Sequence, residues 1–236
     1  MRELAARAAL PGGVRVLDVG AGLGHTTEAA LALLQEGGSI HAFEPSDAMR
    51  ALGSARVRDP RVTWIAAEPE HHAPFDRILV GAAIWLMTPL GDTFRRLSSL
   101  LAPGGSVSFT IPSLYLLEPD EPGGGDDPGL HQLAARLATP AGPATPEPAD
   151  AAFVLPDAAG LEALMQACGL RPERWSFRHR LTQAEYADWL KLPVLTERLL
   201  PDLSAAERAA RIDAVSSTLD ANSWKWEGWT GWTAWK

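Results

Sequence analysis

Three closely spaced glycines dominate the first part of the chain. The segment VLDVGAGLGHTTEAA, residues 16–30, places Gly20, Gly22 and Gly24 between an apolar run and a run that favours helix. A strand, a tight turn and a helix in this order bring backbone N–H groups and a helix N-terminus close to a ligand. The turn therefore predicts an α/β fold with a nucleotide-like ligand, and its neighbours must decide which ligand it is.

Apolar segments alternate with helical segments up to residue 111. Strands are predicted at 14–19, 39–43, 62–66, 77–82 and 106–111. Helices are predicted at 1–10, at 25–35, after the N-cap Ser46, and at 89–101. This alternation indicates a parallel sheet with helices on both faces. The first strand lies at the switch point of such a sheet, where ligands bind beyond the carboxyl ends of the strands.

The alternation stops after residue 111. Segments 117–129 and 138–151 are acidic and rich in Gly and Pro, with a short helix predicted at about 129–137 between them. We expect both segments to be mobile loops, because such compositions do not bury enough apolar surface to fold. Their acidic residues do not have the spacing of a calcium-binding loop, so we predict no metal site.

Ordered elements are predicted again from Asp157 onwards. Asp157 begins a helix that carries Cys168 as a packed core thiol, and a sixth strand follows at 174–181. The final segment, SWKWEGWTGWTAWK, holds five of the nine tryptophans and predicts a last strand, bulged near Gly228, with most of its tryptophans in the core. Two capping boxes each begin a helix: Thr182 with Glu185 before 183–191, and Ser204 with Glu207 before 205–219.

Composition and charge exclude several classes of protein. The 236 residues suit one domain with insertions, and an apolar fraction of 46% can build a sizeable core. A net charge of −8 makes the chain a poor candidate for binding nucleic-acid phosphates. A single cysteine excludes an internal disulfide and a cysteine-built zinc site. With no leader pattern and no apolar run of membrane-spanning length, we expect a cytoplasmic protein without membrane or nucleic-acid partners.

The residues around the glycines favour one ligand. Gly20, Gly22 and Gly24 do not have the G-x-G-x-x-G spacing of nicotinamide and flavin sites, and no Gly-Lys-Ser/Thr ends the turn as in a P-loop. Asp18 would repel a pyrophosphate but suits a ligand with an amino group and a positive charge. Glu44, at the end of the second strand, can accept hydrogen bonds from both ribose hydroxyls. S-adenosylmethionine, a nucleoside without phosphate and with a cationic amino-acid tail, fits this pattern.

Five segments in order resemble the class I S-adenosylmethionine-dependent methyltransferases. LDVGAGLG resembles the glycine motif of the family, AFEPSDAM its second motif, and VTWIAAEPE its third segment. FDRILVGAAIWL and LLAPGGSVSFT are similar to its fourth strand and to the helix, turn and strand that follow. The resemblance covers about residues 14–111 and, more loosely, 157–181 and the last strand.

The resemblance implies a Rossmann-like sheet of seven mostly parallel strands in the order 3-2-1-4-5-7-6, with the last strand antiparallel and helices on both faces. Because few residues precede the first strand, the cover of the site is expected from later segments. The implied organisation is a cofactor-binding half at 1–111, a mobile acidic insertion at 112–156, a helix and sixth strand at 157–181, a helical lid insertion at 182–221, and a tryptophan-rich final strand at 222–236.

The resemblance also implies a set of cofactor contacts. Pro45 would pack on the adenine ring, and Glu68 would bind the adenine N6 amino group. Pro69 has no N–H to donate to adenine N1, so adenine recognition there would rest on Glu68. The predicted cofactor-binding residues are Asp18, Gly20, Ala21, Gly22, Gly24, Glu44, Pro45, Glu68, Pro69 and Gly81.

Methyl transfer is an in-line displacement, so the protein mainly aligns the acceptor and excludes water. An acceptor that must lose a proton would need a general base, and the candidates are His131, Tyr115 and His72. Trp85, just after the fourth strand, and Tyr115, just after the fifth, are predicted to line the acceptor pocket.

Three functions remain open from the sequence. The first is a methyltransferase acting on a small molecule in bacterial specialised metabolism. The second is an enzyme that binds the same cofactor but catalyses another reaction, such as a cyclisation. The third is a non-catalytic relative, for which Pro69 is the only support. The acceptor atom and the oligomeric state, monomer or homodimer, also stay open.

Overall fold

A seven-stranded sheet organises the residues that the computed structural model describes, which are 1–67, 69–116, 133, 137, 155–192, 196 and 200–236. The strands are β1 (Arg15–Val19), β2 (Ser39–Phe43), β3 (Val62–Ile65), β4 (Phe75–Val80), β5 (Leu101–Pro112), β6 (Arg171–Thr182) and β7 (Trp224–Trp235). The helices include α1 (Arg2–Arg7), α2 (His25–Leu31), α3 (Asp47–Arg56), α4 (Leu90–Leu100), α5 (Ala158–Ala167), α6 (Gln183–Leu190) and α7 (Ala205–Ser216). Short 3₁₀ helices lie at Pro69–His72, Ile84–Leu86 and Ser113–Leu116.

The strand order is β3-β2-β1-β4-β5-β7-β6, which confirms the predicted topology. The strands from β1 to β5 are parallel to one another, and β7 is antiparallel to β5. Because β1 pairs with β2 on one side and β4 on the other, its carboxyl end at Val19 lies at the switch point of the sheet. The glycine turn therefore begins in the middle of the carboxyl edge.

Two compact units can be distinguished among the described residues, and each has its own core. The first unit contains residues 1–118, 155–177 and 229–236, and α1, α2 and the central strands pack together in it. Its largest fully buried side chains include Trp232, which stacks on Phe109 with ring centroids 5.2 Å apart. Burying aromatic side chains of this size is a main stabilising contribution to such a core.

The second unit contains residues 119–154 and 178–228, of which the structure describes only part. Its apolar core is formed by Leu133, Leu137, Tyr186, Ala187, Leu190 and Ile212. Leu133 and Leu137 are helical, while the rest of the helix predicted at about 129–137 and the whole of both acidic segments lie outside the described residues. The roles predicted for 112–156 as a flap and 182–221 as a lid stay predictions.

The predicted helix starts are confirmed by side-chain caps. Ser46 and Asp157 each accept a hydrogen bond from a backbone N–H of the first turn, of α3 and α5 respectively. Both capping boxes are complete, with Thr182 and Glu185 at α6 and Ser204 and Glu207 at α7. These caps satisfy N–H groups that have no partner inside the helix, which is why the sequence signal was reliable.

Several predicted boundaries were wrong, including the start of β6, which lies at Arg171 rather than residue 174, and the end of α7, which lies at Ser216 rather than residue 219. Helix α2 ends at Leu31 rather than at residue 35, because the chain changes to tighter turns before Gly37. Strand β4 begins at Phe75, two residues before the prediction, and ends at Val80. Strand β5 begins at Leu101, because the segment predicted to be a turn forms a bulge within the strand. The register of pairing with β4 shifts there: Leu101 is opposite Phe75, and Ser106 is opposite Arg77.

The tryptophan-rich segment forms the predicted last strand. Its residues Trp229–Trp235 pair with β5 in a continuous register that begins directly after Gly228. Trp232 is fully buried, and the segment's other tryptophans, at 224, 226, 229 and 235, are partly buried. Cys168 is a free and partly buried thiol at the end of α5.

Candidate functional site

The glycine turn at the end of β1 is left-handed at three positions. Gly20, Gly22 and Gly24 have φ angles of 71°, 54° and 82°. Side chains rarely adopt such angles without strain, so glycine is required by the backbone. The N–H groups of Gly20 and Ala21 donate to the carbonyl of Phe43, which ties the turn to the end of β2. This arrangement opens the carboxyl edge of the sheet to a ligand.

Asp18 lies beneath this turn and is completely buried. Its Oδ2 accepts a 2.6 Å hydrogen bond from the Thr27 hydroxyl, whereas its Oδ1 is buried and has no hydrogen-bond partner in the described part of the chain. Burial raises the pKa of Asp18 from 3.8 to about 7, hydrogen bonds from Thr27 lower it, and the charge of Glu44 raises it further. A carboxylate oxygen left without a donor is a site for a ligand that brings one.

Glu44 closes the other side of the turn. Its Oε2 accepts the N–H of Gly22 and its Oε1 accepts the N–H of Ser46, both at 2.9 Å. The side chain is nearly buried, and Arg50 donates to the Glu44 backbone carbonyl at 2.8 Å. Each carboxylate oxygen can accept more than one hydrogen bond, so two ribose hydroxyls can be added to these contacts.

Gly81, directly after β4, lies in close contact with the start of α2. A Cβ at this position would lie 2.0 Å from Thr26 Oγ1 and 2.9 Å from Met1 Sδ, so no larger residue fits. The Thr26 hydroxyl donates to this thioether sulfur at 3.2 Å. Glycine here therefore lets the end of β4 approach the start of α2.

Two methionine side chains border the turn, and neither was predicted from the sequence. The Met87 methyl carbon lies 3.4 Å from where a Cβ of Gly20 would be, and the Met49 methyl carbon lies 3.6 Å from the corresponding point on Gly22. Met49 is 38% exposed, which is high for an apolar side chain. Flexible thioethers suit a wall that must adapt to a ligand. Their direction depends on the tertiary fold, so no periodicity could have revealed them.

Comparison with known proteins assigns the family. A family model described as "Methyltransferase domain" matches residues 17–107, the region of the glycine turn. Trans-aconitate 2-methyltransferase of Variovorax paradoxus (strain S110) is 30% identical over 229 residues, covering 90% of this chain and 82% of the relative. The enzyme of the same name from Acidovorax ebreus (strain TPSY) is 28% identical, covering 92% and 81%.

The chain belongs to the class I S-adenosylmethionine-dependent methyltransferases. Its fold agrees with this assignment: a crystal structure titled as a putative methyltransferase from Bacillus halodurans C-125 matches with a TM-score of 0.61, covering 99% of this chain and 97% of that chain at 12% identity. S-adenosylmethionine is the cofactor of this methyltransferase. One feature found above fits it: the buried Asp18 Oδ1 has no hydrogen-bond donor in the described part of the chain.

The residues predicted for the adenine end of the methyltransferase site are only partly described. Pro45 follows Glu44 at the carboxyl end of β2, and Pro69 is buried at the start of a 3₁₀ helix. Glu68 lies outside the described residues. The predicted loss of an N–H at Pro69 and the adenine contact of Glu68 therefore stay predictions.

The residues predicted for the acceptor side follow the strands as expected. Trp85 is buried in the 3₁₀ helix Ile84–Leu86, a few residues after β4. Tyr115 belongs to the 3₁₀ helix Ser113–Leu116 at the end of β5, but its side chain lies outside the described part. His131 also lies outside it. Their roles in this methyltransferase stay predictions.

His72 is not at the methyltransferase site. Its backbone carbonyl accepts a 2.5 Å hydrogen bond from Arg15, the first residue of β1, and it lies three residues before the start of β4. Its ring is 4.8 Å from that of His41, whose pKa is lowered by burial and then by His72 and Arg15. These contacts place His72 at the amino edge of the parallel strands, opposite the glycine turn. His72 became a candidate base from its sequence position alone, which does not show at which edge of the sheet a residue lies.

The described residues were also examined for a membrane span and a metal centre. None of their helices has the length and apolar character needed to cross a membrane. They contain no cluster of three or more His, Cys, Asp or Glu side chains that could hold a metal ion.

Proposed function

We propose that this methyltransferase esterifies a carboxylate of a small polycarboxylic acid. Both curated relatives are named for action on trans-aconitate, which is a tricarboxylate, and the match covers more than four fifths of each relative. When bound, the cofactor supplies an electrophilic methyl group on a sulfonium. A carboxylate oxygen donates a lone pair to form the new C–O bond, the C–S bond breaks, and its electron pair stays on sulfur. No proton moves in this step.

The observation that carries this proposal is the match to relatives that are named for action on trans-aconitate, and the position of His72 agrees with it. His72 is the only predicted base whose side chain the structure describes, and it lies at the opposite edge of the sheet from the glycine turn. An acceptor such as a phenol, with a pKa near 10, would need help to lose its proton, but a carboxylic acid with a pKa near 4 is ionised at neutral pH. A carboxylate acceptor therefore asks only for alignment and exclusion of water.

We propose further that Asp18, Glu44 and the glycine turn hold the cofactor. Asp18 faces its amino-acid tail, Glu44 accepts its ribose hydroxyls, Gly81 keeps the end of β4 close to the start of α2 beside the site, and Pro45 packs on adenine. The support is the unpartnered Oδ1 of Asp18 and the spare acceptor capacity of Glu44. A cytoplasmic location is likewise an expectation from the sequence.

The two other functions are not favoured. A non-methylating enzyme or a non-catalytic relative would be an exception among relatives that are named methyltransferases. The match covers more than four fifths of the length of each relative. Formation of S-adenosylhomocysteine with an acceptor distinguishes the proposed function from both.

The test is incubation with S-adenosylmethionine and a panel of acceptors. The panel contains trans-aconitate, its trimethyl ester, a simple phenol and a primary amine. We expect S-adenosylhomocysteine and a monomethyl product with trans-aconitate only, and mild alkali should hydrolyse that product because it is an ester. At saturating cofactor, the rate should be flat between pH 6 and 8, whereas a phenol acceptor would gain up to tenfold per pH unit. An alkali-stable product, or turnover of the phenol alone, would refute a carboxylate acceptor.

A further inference from the structure

The glycine turn has no side chains at three of its positions, so its conformation depends on contacts from neighbouring elements. The end of α3 supplies contacts to successive turn residues. A Cβ on Gly53 would lie only 2.7 Å from the carbonyl oxygen of Gly22, so the two backbones touch. Arg56 Nη1 donates to the carbonyl of Leu23 at 3.2 Å.

Trp64 of β3 supports the same contact from the other side. Its ring atoms Cη2 and Cζ3 lie 2.4 and 2.8 Å from where a Cβ of Gly53 would be. Its Cη2 and Cζ2 lie 3.2 and 3.3 Å from the corresponding point on Gly24. The indole therefore lies against both glycines. Real Cβ atoms essentially never come within 3.0 Å of another atom, so Gly53 cannot carry a side chain without moving α3, the turn or the ring.

Gly22 is held at both of its backbone groups. Its N–H donates to Glu44, which precedes α3, and its carbonyl lies against Gly53, in the second half of α3. Arg56 also donates to His25 Nδ1 at 2.7 Å and forms an ion pair with Glu28, so α3 is joined to the start of α2 as well. The turn and Glu44 are thus fixed relative to each other through one helix.

We propose that the Gly53–Trp64 contact positions the glycine turn for S-adenosylmethionine. The contact fixes the distance between the turn and Glu44, the two parts of the site that must reach one nucleoside together. Neither Gly53 nor Trp64 is assigned contact with the cofactor or the acceptor; both act through the backbone of Gly22 and Gly24. Binding to a site built in this way depends on the backbone being in place beforehand.

The test is Gly53→Ala, with Gly91→Ala as the matched control. Both glycines lie in helices, but a Cβ on Gly91 would meet only Leu164, at an ordinary 3.8 Å. We expect Gly53→Ala to raise the Kd for S-adenosylhomocysteine about tenfold or more by calorimetry on the free protein, while Gly91→Ala leaves it unchanged. Hydrogen exchange of the amides of residues 20–25 should be faster in free Gly53→Ala than in wild type.

A second measurement distinguishes positioning from a general loss of stability. In Gly53→Ala, the KM for S-adenosylmethionine should rise about tenfold while kcat and the acceptor KM change less than twofold. Trp64→Phe removes Cη2 and Cζ3, so the double variant Gly53→Ala/Trp64→Phe should regain part of the affinity. Wild-type affinity in Gly53→Ala, equal losses for cofactor and acceptor, or a lowered Tm without a change in Kd would overturn the proposal. If Gly53→Ala does not fold, Trp64→Phe alone should give a smaller rise in Kd, and an unchanged Kd would also overturn it.

Discussion

Asp18 and Glu227 are carboxylates withdrawn from water, one in each compact unit, and their surroundings differ. Glu227, on β7, is 1% exposed and forms a 2.6 Å ion pair with Lys225, whose ammonium also lies 4.6 Å from the centre of the Tyr186 ring. Asp18, on β1, is fully buried, accepts a hydrogen bond from Thr27, and forms no ion pair within the described part of the chain.

The difference distinguishes a carboxylate with a structural role, that of Glu227, from one that is available to a ligand, that of Asp18. A buried ion pair offsets its desolvation internally, and the protein gains little by it beyond a fixed arrangement. A buried carboxylate without a cation costs stability that only a bound partner can return. Lys225 and Glu227 therefore belong to the architecture of β7, whereas Asp18 has the surroundings expected of the cofactor site that we propose.

The largest expected effect is the loss of stability when Glu227 is left without the cation of Lys225. Lys225→Met keeps the length and apolar contacts of the side chain but removes the cation, and should lower the free energy of unfolding by about 3–5 kcal/mol. The double variant Lys225→Met/Glu227→Leu should recover most of this loss, because no unpaired charge remains. Urea denaturation of the three proteins measures both values. A single variant as stable as wild type would mean that Glu227 does not depend on Lys225.

The next effect is the pH dependence of stability caused by Asp18. Its pKa in the folded protein is about 7, above the unfolded value of 3.8, so the folded state holds the proton more tightly. Its contribution is therefore fully present below pH 4 and is lost as the pH rises through 7, by a total on the order of 4 kcal/mol.

Asp18→Asn isolates this contribution. The difference in unfolding free energy, wild type minus variant, should fall as the pH rises from 5 to 8. Taking a difference removes other groups, such as His41, whose lowered pKa makes stability fall as the pH decreases below its ordinary 6.5. A difference that does not change with pH would show that Asp18 is already ionised in the free protein.

A third effect is on affinity. Asp18→Asn should weaken the binding of S-adenosylhomocysteine by about 1–3 kcal/mol, because a charged acceptor for its amino group is lost. At pH 8 the free variant should melt at the same temperature as wild type or higher. Glu227→Gln should do the reverse, losing stability and keeping affinity. If both variants lose affinity equally, the distinction between the two carboxylates fails.

The smallest effect tests the environment of Asp18. Thr27→Val removes the hydroxyl that donates to Oδ2 at 2.6 Å, one of the contacts that lower the pKa of Asp18. The pH at which half of the Asp18 contribution to stability is lost should therefore rise. The free energy of unfolding at pH 8 should change by about 0.5–1.5 kcal/mol. Thr26→Val, at the neighbouring position, should leave that half-loss pH in place, since Thr26 donates to Met1 instead.

Local signals in the sequence were sufficient for much of the fold. Ser46, Asp157 and the two capping boxes begin helices as predicted, because a cap depends only on residues three or four positions apart. The strand order came from the resemblance to the family and is confirmed. The extent of β5 was missed, because the bulge opposite Phe75 depends on pairing with a distant strand.

The site shows the same limit. Asp18, Glu44 and the glycines could be proposed from the sequence, because the chemistry of the cofactor calls for such residues near the carboxyl ends of β1 and β2. The placement of His72 and the contacts of Gly53 with Trp64 were not visible, since they depend on which elements touch in three dimensions. The sequence also could not show that the Oδ1 atom of Asp18 is buried without a hydrogen-bond partner in the described part of the chain, because burial depends on the tertiary fold.

The position of β7 has a consequence for synthesis on the ribosome. β7 follows β6 in the sequence but lies between β5 and β6, so β5 has an open edge after its own residues have emerged. At a translation rate of about 5–20 residues per second, the stretch from residue 113 to residue 228 takes roughly 6–23 s to make. During that time the nascent chain presents Val107, Phe109 and Ile111 on a strand with one unpaired edge, which favours pairing with other chains. The methyltransferase core is therefore exposed to aggregation until translation delivers Trp229–Trp235.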